Sequence, residues 1–71
     1  MDELQVWYLL AQAGRRYSAA LLEMVTLHRH MEAEGTNTER LFLARTALKN
    51  VVENLTEVDA CLTRAEREAR W

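Results

Sequence analysis

Gly35-Thr36-Asn37-Thr38-Glu39 separates two long segments of apolar periodicity, and the reading of this stretch decides the fold. Glycine takes the left-handed backbone conformation that closes a helix, so Gly35 marks a stop. Thr36 followed three residues later by Glu39 fits a capping box, in which each side chain satisfies a free backbone N–H at the start of the next helix. One helix is predicted to end here and another to begin almost at once. So short a connection makes the two helices antiparallel neighbours. The predicted fold class is all-α: an antiparallel two-helix, coiled-coil-like hairpin over residues 1–71, with helices over roughly 3–34 and 37–70 and a turn at 35–37.

Towards the N-terminus, Asp2 and Glu3 put negative charge in a first turn, where the helix dipole favours it. From there Val6, Leu10, Ala13, Tyr17, Ala20, Met24, Leu27 and Met31 recur at alternating spacings of four and three, the pattern of a coiled-coil seam. Trp7, Gly14, Leu21 and His28 form a second row beside it. Gly14 costs about 1 kcal/mol relative to alanine in a helix interior, which points to close approach by a neighbouring helix or to a slight kink. Leu4, Tyr8, Leu9, Ala11, Leu22 and Val25 fall off both rows. One partner helix cannot cover so wide a band, which argues against an isolated hairpin.

Towards the C-terminus the seam reads Leu41, Ala44, Leu48, Val51, Leu55, Val58, Leu62, Ala65 and Ala69. Its flanks are more polar, and the last turns carry charges of alternating sign, with Arg64 and Glu68, and Glu66 and Arg70, at i,i+4 spacing. Folding about Gly35-Thr36 makes the numbers of facing residues total about 71, with each helix about 45–50 Å long. Met24 is then expected opposite Leu48, Tyr17 opposite Leu55 and Leu10 opposite Leu62.

The chain has 71 residues, 49% of them hydrophobic, no proline, one cysteine and a net charge of −2. A monomer this small buries only about 60% of its unfolded surface and needs support from disulfides, metal or oligomerisation. Cys61 has no second cysteine to pair with, and a lone thiol fits a reducing compartment. Oligomerisation is left as the support: two hairpins dimerising into a four-helix bundle. The mild acidity gives no general reason to expect nucleic acid, no apolar run approaches the length of a membrane span, and Met1-Asp2-Glu3 has the wrong charge to open a signal peptide. A cytoplasmic protein is expected.

Large apolar residues outside the seams mark an interface. Trp7, Tyr8, Leu22 and Val25 are the expected contact between hairpins. Phe42 and Leu43 are expected at the turn end, and Trp71 near Trp7 at the open end. Against this stand two sharper readings. His28 with Glu32, and His30 with Glu34, are i,i+4 pairs that could each hold a metal, but the two pairs point about 160° apart and cannot share one ion. Protonated histidines in a last turn also suit the dipole. Cys61 beside the second seam reads as a small hydrophobe, and both histidines map to the other end of the hairpin. Arg29, Arg40, Arg45 and Lys49 gather near the turn, with Glu32, Glu34 and Glu39 interspersed.

The expected function is therefore non-enzymatic, without a cofactor: a small protein–protein interaction module, an adaptor or inhibitor, acting through an oligomeric helical surface. The alternatives are a metal-binding or redox-sensing bundle using His28, His30 and Cys61, and a nucleic-acid-associated factor using the turn-end arginines. Metal content of untagged protein discriminates the first, and salt-dependent binding to a generic duplex the second.

Overall fold

The computed structural model describes residues 3–32 and 38–70. Two α-helices account for them, α1 over Glu3–Glu32 and α2 over Thr38–Ala69, packed side by side in a rod of 54 × 13 × 12 Å. The capping box at Thr36, the Gly35 stop and Trp71 lie outside the described residues. Both helices carry charges that suit their dipoles, with Glu3 and Glu39 in the first turns, Arg29 and His30 in the last turn of α1 and Arg67 in that of α2. At the end of α2 the Arg70 N–H donates to the Arg67 carbonyl over 3.3 Å, the three-residue closure by which a last turn tightens.

The helices run antiparallel in the anticipated register. Arg16 donates to Asn54 over 3.5 Å, and the Cys61 thiol points at the Gln12 carbonyl oxygen over 4.0 Å. Their rotation about their own axes differs from the sequence expectation. Val6, Ala13, Ala20 and Leu27 on α1, and Ala44, Val51, Val58 and Ala65 on α2, lie at least partly buried between the helices as anticipated. The second half of each predicted seam does not, apart from the half-buried Met24. Leu10, Tyr17 and Met31 are exposed, as are Leu41, Leu48, Leu55 and Leu62. On α1 the inner positions are taken by Leu9, Gln12, Ala19, Glu23 and His30. On α2 they are taken by Arg40, Ala47, Asn50, Asn54, Cys61 and Glu68.

The physical reason is size. Ala13, Ala20, Ala47 and Ala65 are all buried, Ala20 completely, and Leu9 is the one large side chain among the described residues with under 2% of its surface exposed. Small side chains let two helical backbones approach closely, and polar residues at the edges of such a seam keep their tips in water. No polar or charged side chain is buried among the described residues. A seam of leucines would hold the helices further apart, and two helices alone could not shield it.

A candidate interaction face

The rotation decides what the hairpin shows to its surroundings. In an antiparallel pair, the flanking rows of the two helices meet along two edges. One edge is polar: Gln12, Arg16 and Ala19 of α1 face Glu57 and Cys61 of α2 across a shallow groove. The rows on the opposite side of each seam share the other edge. These are Leu10, Tyr17, Met24 and Met31 on α1 and Leu41, Leu48, Leu55 and Leu62 on α2. None is charged. The register brings Leu10 to the level of Leu62, Tyr17 to Leu55, Met24 to Leu48 and Met31 to Leu41, so the two rows form one ladder along the rod. The four leucines keep between 38% and 59% of their surface exposed.

Outside this ladder runs a rim on each helix, all of it exposed: Trp7, Gly14, Leu21 and His28 on α1, and Arg45, Val52, Asp59 and Glu66 on α2. Gly14 sits among Leu10, Tyr17, Trp7 and Leu21, and a Cβ added there would meet nothing within 4 Å. The close approach that would explain a mid-helix glycine is therefore not made by α2. His28 Nε2 lies 3.2 Å from the Glu32 carboxylate, and Arg70 pairs with Glu66; both pairs are largely solvent-exposed i,i+4 contacts of the kind that adds little to stability.

The six predicted interface residues divide between surfaces, and all are exposed. Trp7 stands on the rim of the leucine ladder. Leu22 and Val25 lie on the outer side of α1, on the same side as Leu4 and Tyr8 but separated from them by Arg15 and Ser18. Tyr8 accepts a hydrogen bond from the Gln12 amide over 3.2 Å. Phe42 lines an open groove on the outer side of α2 with Arg45, Leu48, Lys49, Val52 and Glu53, and Leu43 lies towards the polar edge. Thr26, Thr46 and Thr56 return their hydroxyls to the carbonyls four residues back, at Leu22, Phe42 and Val52.

The residues of the two alternative readings are not brought together. Among the described residues no three His, Cys, Asp or Glu side chains converge as a metal site would require. Cys61 is buried in the seam against Gln12, about 24 Å along the helix axis from His28. Arg29, Arg45 and Lys49 are exposed, and Arg40 is half-buried. Among the described residues no helix is long and apolar enough to cross a membrane. Sequence reasoning found the leucine row but assigned it to the interior; Ala13, Ala20 and Ala65 suit either rotation, and the small-residue signal for the observed one lay in Ala47 and Cys61. No protein-family model matches the chain, and no curated protein or solved structure matches it either.

Proposed function

We propose that this chain is a non-enzymatic protein–protein interaction module, an adaptor or inhibitor, that works as a pair of hairpins joined into a four-helix bundle. The observation that carries the reading is the uncharged ladder of Leu10, Tyr17, Leu41, Leu48, Leu55 and Leu62, which both helices turn outward on one side of the rod. Apolar patches of this extent on a small chain mark association surfaces. Area supports a second copy as the occupant. The chain exposes 5759 Å², about 1,200 Å² more than the roughly 4,600 Å² typical of a folded 8.3 kDa monomer. Its radius of gyration is 16.2 Å, against about 11 Å for a compact domain of this length. If each copy hides that excess, the pair buries about 2,400 Å², within the range of permanent homodimers.

Pairing through the ladder shifts the contact between hairpins away from Leu22 and Val25, on the outer side of α1. These, with Leu4 and Tyr8, stay open on the assembled bundle as the surface for a different protein. Leu4 with Tyr8, and Leu22 with Val25, each offer a short apolar spot to a helix of that protein. Light scattering across a concentration series tests the reading. The parent chain is expected at twice 8.3 kDa, and Leu48→Glu is expected to be monomeric while keeping its helical circular dichroism. A parent chain that stays monomeric at high concentration removes self-pairing and leaves the ladder to another protein.

A further inference from the structure

We infer that the two copies meet about a two-fold axis perpendicular to the helices, so that α1 packs antiparallel on the partner copy's α1 and α2 on its α2; this rests on the pairing proposed above. Two closed arrangements bring leucine ladders face to face. With the axis perpendicular to the helices, each rim meets its own copy in reverse. With the axis along the helices, the rim of α1 meets the rim of α2. The rims differ in composition, and that decides between the two.

On α1, reversal pairs Gly14 with Leu21 and Trp7 with His28. The largest gap on the rim receives a leucine, twice, and the indole meets an imidazole. On α2, reversal pairs Arg45 with Glu66, an opposite-charge contact made twice, and leaves the Asp59 carboxylate at the wet margin beside Val52. Both sets are symmetric about a single level. The α1 pairs centre between Tyr17 and Ser18, the α2 pairs centre between Leu55 and Thr56, and the register that sets Gln12 against Cys61 places these centres side by side in the hairpin. One axis therefore satisfies both helices. The other arrangement matches Leu21 with Val52 but sets Trp7 against Glu66, Gly14 against Asp59 and His28 against Arg45, which gives the glycine no apolar knob and puts two basic side chains together. The open space over Gly14 is, in the first arrangement, the seat of the partner copy's leucine at position 21.

The test is made on the full chain carrying Cys61→Ala, so that added thiols are alone. At the axis, Leu55→Cys faces its own copy, and so does Tyr17→Cys. Each single variant is expected to give a disulfide-linked dimer under mild oxidation. A mixture of the two is expected to give only the two homodimers, because positions 17 and 55 of different copies sit on diagonal helices about 14 Å apart. A mixed disulfide in place of the homodimers, in protein that still weighs as a dimer, overturns the arrangement and leaves the pairing standing. A monomeric parent chain overturns both. A size swap reads the same geometry without cysteine. Gly14→Leu is expected to raise the dissociation constant about tenfold or more, and adding Leu21→Gly is expected to recover most of that loss. No recovery in the double variant overturns the contact between Gly14 and Leu21.

Discussion

Ala20 and Leu9 show how narrow the interior of this hairpin is. Ala20 has no exposed surface and Leu9 has 1%, yet one is the smallest apolar side chain with a Cβ and the other is among the larger. Ala20 lies near the middle of α1, and Leu9 lies towards the open end. Enlarging the first and shrinking the second should therefore both destabilise the fold, for opposite reasons. Ala20→Leu is expected to cost about 1–3 kcal/mol by overpacking, and Leu9→Ala about 2–5 kcal/mol by leaving a cavity. Urea denaturation midpoints measure both. An Ala20→Leu chain as stable as the parent would mean that the helices are further apart than the structure places them. Gly14 is the counterpart at the surface, a position whose small size nothing within the hairpin requires.

The two helices and their register were legible from spacing alone, because Val6, Ala13, Ala20, Leu27 and their counterparts on α2 belong to the seam under either rotation. The rotation itself was not legible. Hydrophobicity favours burying Leu48, Leu55 and Leu62 ahead of Ala47, Asn54 and Cys61, and with two helices in view that choice looks forced. A bundle helix, however, carries three apolar rows rather than the two of a two-stranded coil, and on α2 the row that holds Ala47 and Cys61, not the leucine row, goes to the nearest neighbour. Glu23 and Asn54, half-buried beside the seam, hid this, since polar side chains at such positions look like solvent-facing ones in a sequence. The exposed status of Trp7, Tyr8, Leu22, Val25, Phe42 and Leu43 was legible, because each falls outside the predicted seams. At the scale of one helix, Leu55→Glu is expected to abolish pairing, while Leu22→Glu leaves the molar mass unchanged. A Leu22→Glu chain that falls apart into monomers would place the contact between hairpins on the outer side of α1 instead.

At the scale of the whole molecule, folding and association are expected to be coupled. A hairpin whose core, among the described residues, is four alanines, a valine, a cysteine and one leucine has little apolar burial of its own to set against the conformational entropy of some sixty helical residues. Its melting temperature should therefore rise with protein concentration. Thermal scans at dilutions spanning about two decades measure this, and the same scans on Leu48→Glu should show a lower, concentration-independent transition. A parent chain whose melting point ignores dilution would mean that the alanine seam suffices alone.

The alanine seam also sets how the assembly answers to cold. Within a chain, cohesion comes from helical hydrogen bonds and close backbone packing, which do not weaken as water is chilled. Between chains it comes from leucine surface, and the drive to hide such surface fades on cooling. Near the freezing point, dilute protein should come apart into single hairpins that remain helical, and rejoin on warming to room temperature. Sedimentation at the two temperatures would show the exchange directly, and a cell that chills would find this protein divided before it is unfolded.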